Sequence, residues 1–300
     1  MFYNMGMSVE IVIRQTGLFK KELPLSVILG EKLSYGHFDG WRLQEKVIKG
    51  REFVIYDPDR IGRGIGVSWQ KGEKNEITLR LLMICSESEL RTFFDCVNRI
   101  TSFWNCRMYV DGQEMHPEQL ASQFDDWLAL QIHSLQDAAG RIMEGDGATL
   151  TMYCAMWPLS LGREEAEMFS TGNGLLKFED WLHEKQKIDA FYAKISFYKG
   201  TEGILGVIVL SEGVRVILPA VPHVPPGMED ARTGKPLVCD NYRLYLFSGS
   251  EDREIGSAEY AKGIEAIPAE KKTRYDGNHI LVEQLTKEEL EQIAEVRTEQ

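Results

Sequence analysis

Long apolar runs are missing from this 300-residue chain: the longest in its most hydrophobic region, Ile204 to Leu210, falls far short of the roughly 20 residues that span a bilayer. A membrane-spanning helix is therefore not expected. Positive charge is scarce as well, with 34 Lys and Arg against 46 Asp and Glu, a net charge of −12 and a pI near 5.1. Such a field repels phosphate backbones and anionic lipid surfaces unless a local basic patch overrides it. No such patch is visible in the sequence, so neither nucleic acid nor membrane is expected as a partner. The five cysteines, Cys85, Cys96, Cys106, Cys154 and Cys239, are odd in number and unclustered. That pattern argues against a disulfide framework and suits reduced core thiols in a reducing compartment. Residues Met1 to Met7 carry no basic flank ahead of an apolar core, so no secretion signal is read and a cytoplasmic location is expected. Complete chemical signatures are absent too. There is no Gly-x-Ser-x-Gly elbow, no local pattern marking a cysteine nucleophile, and no full metal or nucleotide motif, so neither cofactor nor metal is expected.

What is present suits a folded chain: 43% hydrophobic and 10% aromatic residues suffice for one large domain or two of ordinary size. Ile77, Leu79, Leu81 and Met83 alternate with polar residues, as do Ile65, Val67 and Trp69, and Lys71 to Asn75 between them supplies turn chemistry for a β-hairpin. Phe53 to Tyr56 reads as a third strand. Ser86 and Glu89 form a capping-box pattern ahead of Leu90, Phe93, Val97, Ile100 and Trp104, the stripe of an amphipathic helix. Pro117 opens a second long helix carrying Leu120, Phe124, Trp127, Leu128, Gln131 and Leu135. The Gly-rich stretch Gly140 to Gly147 predicts a division near residue 146 into two similar halves, 1–146 and 147–300.

In the second half, Leu150 to Met156 alternates as a strand ended by Trp157-Pro158, and helices are expected over Arg163 to Phe169 and Leu175 to Lys187. Phe191 to Phe197 alternates as a strand. Ile204 to Leu210 and Val214 to Leu218 read as a buried hairpin, and Tyr242 to Phe247 as a further strand. The chain then turns polar, with Thr286 and Glu289 as a capping box for a last helix and a partly mobile tail expected. The fold class that follows is α+β, with antiparallel sheets covered on one face by long helices.

Several constellations carry possible chemistry. Gly62-Arg63-Gly64-Ile65-Gly66 is similar to part of a glycine-rich phosphate cradle, but a strand rather than a helix follows it, so a turn is the expected role. His183-Glu184 begins a zinc-protease pattern that Lys187 breaks, while Glu179 and His183 remain helical neighbours at i, i+4. Asp126, His133 and Asp137 share one helix face and read as solvated. His223 and Cys239 are two metal-type ligands without a third. Trp157, Trp181, Phe191, Tyr192, Phe197 and Tyr198 read first as core and second as pocket lining. The segment Leu218 to Asp240, with Pro219, Pro222, His223, Pro225, Pro226 and Pro236, is long for a loop in a compact domain, a length associated with function or disorder.

Trp157-Pro158-Leu159, Trp181 to Gln186, Asp189 to Ala193 and the loop from Leu218-Pro219 to Pro226 resemble a bacterial family of about this length, catalogued as a domain of unknown function, and the resemblance runs from about Met7 onward. It implies no established activity, cofactor or catalytic residue. The sequence thus points to a non-enzymatic binding or protein-interaction module that engages a protein partner or small ligand through the proline loop, where proline limits the ordering entropy lost on association. The alternative is a hydrolase or other small-molecule enzyme near the His183 helix and that loop. The residues to follow are Trp157, Glu179, His183, Tyr198 and His223, and both a monomer and a homodimer remain open.

Overall fold

The computed structural model describes residues 8–39, 42–200, 203–224, 228–230, 233–239 and 241–295. The chain forms two compact units, Met1–Ile188 and Asp189–Gln300. Residue 146 falls inside the first. Gly145 caps a helix that packs on the helices following it, so this glycine stretch marks a turn within one unit.

The first unit comprises β1 (Ser8–Arg14), α1 (Leu25–Leu29), β2 (Ser34–Phe38), β3 (Leu43–Glu45), β4 (Glu52–Tyr56), β5 (Ile65–Ser68), β6 (Glu76–Leu82) and α2 (Glu87–Trp104). It continues with β7 (Arg107–Val110), β8 (Gln113–Met115), α3 (Pro117–Ser122), α4 (Phe124–Glu144), β9 (Leu150–Met152), β10 (Leu159–Leu161), α5 (Arg163–Phe169) and α6 (Gly174–Lys187). Eight strands form one antiparallel sheet in the order β3-β2-β4-β5-β6-β1-β7-β8. Period-two alternation puts Ile11, Ile13, Ile65, Val67, Ile77 and Leu79 on one face, where they bury against Leu90, Phe93, Val97, Ile100 and Trp104 of α2. The expected β5–β6 hairpin and α2 are both present. The second expected long helix breaks at Gln123 into α3 and α4, and strand geometry after the 146 stretch ends at Met152, before Trp157.

The second unit comprises β11 (Phe191–Tyr192), β12 (Ser196–Gly200), β13 (Gly203–Ser211), β14 (Val216–Pro219), β15 (Asn241–Ser248), β16 (Arg253–Glu259), α7 (Tyr260–Ala266), β17 (Lys272–Arg274), β18 (His279–Val282) and α8 (Lys287–Glu295). Two four-stranded sheets run in the orders β12-β13-β15-β16 and β11-β14-β18-β17, with β13/β15 and β11/β14 parallel. The expected hairpin of Ile204–Leu210 with Val214–Leu218 is thereby corrected. β13 and β14 lie in different sheets, because the chain crosses between sheets over 212–215 and each strand satisfies its backbone elsewhere. Phe191 to Phe197 is likewise two short strands, one in each sheet. From Ser248 to Glu295 the chain is part of the packed unit rather than the expected mobile tail: Tyr260, Val282, Leu285, Leu290 and Ile293 bury in its core. The α+β class holds, and no described helix is long and apolar enough to cross a membrane.

Candidate functional site

The glycine-rich turn of the first unit does receive a carboxyl group, and the group is the chain's own. Glu89 sits in the first turn of α2, whose N-cap Ser86 accepts a hydrogen bond from Glu89 N–H at 3.2 Å. That is one half of the expected capping box. The carboxylate leaves the other half unmade and instead accepts Gly64 N–H on Oε1 at 2.5 Å. A Cβ on Gly62 would stand 2.8 Å from that Oε1, so the approach needs glycine. Thr286 and Glu289 make the reciprocal box in full, at 2.8 and 3.3 Å, which shows what Glu89 has given up.

Glu89 is buried, and its Oε2 has no hydrogen-bond partner among the described residues. Burial pushes its carboxyl upward from the usual range, opposed by the Gly64 N–H and by the nearby charge of Arg63. Arg63 is itself buried and donates to the carbonyls of Tyr153 (2.9 Å), Ile84 (3.3 Å) and Met83. Burial, with Glu89 adding to it, also pushes the Cys85 thiol far up, so that cysteine is held as an unreactive thiol. A group whose folded pKa is raised favours the folded state below its unfolded pKa and loses that contribution as pH rises through the folded value. We therefore expect the stability of the first unit, minus that of Glu89→Gln, to fall as pH rises from about 4.3 and then to level. A difference that is flat with pH would contradict the assignment.

Of the residues singled out in the sequence, Trp157, Glu179 and His183 lie in the first unit, and Tyr198 and His223 in the second. Trp157 is buried core. Glu179 and His183 do not bond each other. Glu179 accepts Ser88 N–H at 3.1 Å and His183 accepts Ile61 N–H on Nδ1 at 3.1 Å, which requires that nitrogen to be unprotonated. One turn further along α6, Gln186 donates to Gly62 O at 2.8 Å and accepts Met156 N–H at 2.9 Å. Glu179, His183 and Gln186 thus fasten α6 to the Gly62 turn and its neighbours. Asp126, His133 and Asp137 are exposed, as expected of a solvated face. Tyr198 is 59% exposed on β12, and the exposed His223 has only a long contact, 3.4 Å, from Nδ1 to Val221 O. Cys239 Sγ points to the carbonyls of Ile204 and Asn241. No group of three or more His, Cys, Asp or Glu among the described residues is placed to hold a metal. Pro225, Pro226 and Asp240 lie outside the described residues.

The second unit carries an open cleft of about 720 Å³. Its walls are the β12–β13 end (Leu205), the start of the proline segment (Val221, Pro222), Tyr242 and Arg243 of β15, Glu259 and Tyr260. Tyr242 lies opposite Gly206 in the parallel β13/β15 pair, and a Cβ at Gly206 would come within 2.4 Å of its ring. Glycine at that point is what seats the ring in the wall. Arg243 is aimed by hydrogen bonds to Ser257 Oγ at 3.0 and 3.2 Å, and Tyr260 is fixed by its hydroxyl donating to Pro219 O. Lys199 and Asp230 pair at 3.2 Å and tie the far part of the proline segment to β12. A smaller hollow of about 470 Å³ lies on the sheet of the first unit, but the Glu10 and Arg80 that line it are already paired with each other at 3.3 Å.

Sequence reasoning missed two groupings. The cleft escaped because Gly206, Tyr242 and Glu259 meet only through strand order. The buried chain Tyr192 Oη to His279 Nε2 (2.9 Å) and His279 Nδ1 to Asp276 Oδ1 (2.8 Å) escaped because His279 had no patterned neighbour.

A family model matches residues 8–293. The chain belongs to the DUF4299 family, described as a domain of unknown function. No curated protein and no solved structure matches it. The DUF4299 description carries no ligand and no residue role, so the site rests on the geometry of this chain.

Proposed function

We propose that this DUF4299 chain is a non-enzymatic binding module of a reducing, cytoplasmic compartment whose ligand lies in the cleft of the second unit. The observation that carries the reading is the cleft itself: about 720 Å³, within the range of roughly 300–1,000 Å³ of ligand sites, with aromatic walls and a few fixed polar groups. Tyr242 offers a half-buried ring to an aromatic or aliphatic body, with the buried Tyr260 behind the wall, and Arg243 and Glu259 offer charge of both signs to its polar ends. A small molecule or a short peptide segment of a partner has that size and chemistry. The five free cysteines support the compartment. In the first unit, the groups with catalytic character are occupied: Glu89, Glu179 and His183 each accept a backbone N–H. That supports binding over chemistry there.

The test is a fragment library screened by thermal shift against the wild type, Arg243→Ala and Gly206→Val. The valine collides with the seated Tyr242 ring. Fragments that stabilise the wild type are expected to lose about tenfold or more in affinity, some 1.4 kcal/mol, in either variant. Unchanged affinity in both variants overturns the assignment of the cleft.

The second reading, a hydrolase or other small-molecule enzyme, is favoured by the Tyr192–His279–Asp276 chain, which has the acid–imidazole–hydroxyl order of a nucleophile relay. All three groups are buried. Hydrolysis of activated esters by the wild type and its loss in His279→Gln would support that reading over binding alone.

A further inference from the structure

We propose that the loop carrying Leu18 and Phe19 is a docking finger for an anionic lipid surface. Both side chains are 96% exposed, adjacent in sequence, and follow Gly17 at φ 108°, a conformation that favours glycine. Isolated exposed apolar residues are ordinary, but two bare large ones side by side on a loop are unusual.

The finger stands on a rigid base. The Gln15 side chain donates to Lys21 O at 2.9 Å and Lys74 O at 2.8 Å, and its Oε1 accepts Lys21 N–H at 2.8 Å. Gln15 N–H bonds Asn75 O, Leu23 N–H bonds Glu73 O, and Trp104 Nε1 holds Lys21 O. Residues on both sides of the tip are therefore fixed, and the apolar pair projects from a pinned neck.

Those same bonds join the neck to the β5–β6 turn and build the basic patch that the linear sequence does not show. Lys20 and Lys21 come from the loop, and Lys71 and Lys74 from the turn. All four are exposed, and none forms an ion pair among the described residues. Lys20 is held by Asn75 Oδ1 at 2.8 Å, which leaves its charge uncompensated. The carboxylates of the same two segments are Glu22, exposed, Glu73, buried and paired with Arg51 at 2.9 Å, and Glu76, paired with Arg14 at 3.0 Å. In a chain of net charge −12, this surface is locally positive around an apolar tip. Apolar side chains entering the acyl boundary with lysines at the headgroups is the arrangement by which peripheral proteins hold anionic membranes.

The test is co-sedimentation of the full chain with phosphatidylcholine vesicles, with and without phosphatidylserine. The wild type is expected to partition onto the phosphatidylserine vesicles, less so as salt rises, and to ignore phosphatidylcholine alone. Leu18→Ser with Phe19→Ser is expected to lower the partition by about tenfold or more, because burial of either side chain is worth that much. Lys20→Ala with Lys21→Ala is expected to lower it by about twenty-five-fold, taking each lysine near the surface as a fivefold factor. Both variants should melt like the wild type, since the side chains changed are exposed. Absence of wild-type partition at low salt overturns the proposal, as does equal partition of the serine variant. A protein partner that the wild type binds and the serine variant does not, with vesicles ignored by both, also overturns it in favour of an apolar socket on a protein.

Discussion

Replacing Arg63 by methionine lowers the stability of the first unit by about 4 kcal/mol at neutral pH. The guanidinium is buried and spends its N–H groups on the carbonyls of Tyr153, Met83 and Ile84, all of which methionine leaves without that donor. It is also the positive charge that offsets the buried Glu89 carboxylate. Methionine roughly keeps the apolar volume, so the loss reports the polar network rather than a cavity. All six tryptophans lie within Met1–Ile188, so their fluorescence during urea unfolding follows this unit alone. Adding Glu89→Gln to Arg63→Met should restore about 1 kcal/mol at neutral pH, because the charge left stranded is removed. A strictly additive double variant would show that Arg63 and Glu89 are not coupled.

Alanine at Gly64 is expected to destabilise the same unit by about 3 kcal/mol. Gly64 has φ 84°, where an L side chain costs roughly 1–2 kcal/mol. Its Cβ would stand 2.4 Å from Val54 Cγ1 and 3.4 Å from Ala155, an overlap that adds about 1–3 kcal/mol. Gly72, also at positive φ but with open space around it, is the control: alanine there should show only the conformational part. Equal losses at both positions would mean that the packing against Val54 is not tight.

How much of this was legible in the sequence depended on how local the cause was. The β5–β6 hairpin could be read because its alternation and its turn, Lys71 to Asn75, sit within one short window. The helix Glu87–Trp104 could be read because Ser86 and the apolar stripe are both local. Partnering was not legible. Ile204–Leu210 announces a buried strand, but nothing in it states that its neighbours are β12 and β15 rather than the next apolar run. Three-residue spacing from Ser86 marks Glu89 as a capping residue, whereas its bond to Gly64 spans 25 positions. The glycines at 62 and 64 are the sequence signal that a buried carboxylate was coming, but their usual partner is an external anion. The cleft and the lysine patch were hidden for a related reason, since each gathers residues from segments tens of positions apart.

Ligand binding in the cleft of the second unit is tested at once by soaking crystals of the full chain with a diverse fragment library. Fragments are expected against Tyr242, Arg243 and Glu259, and none displacing Glu89 at Gly62–Gly64. An empty cleft in crystals where its mouth is open, with fragments or anions collecting at the Gly62 turn instead, would contradict binding in the cleft.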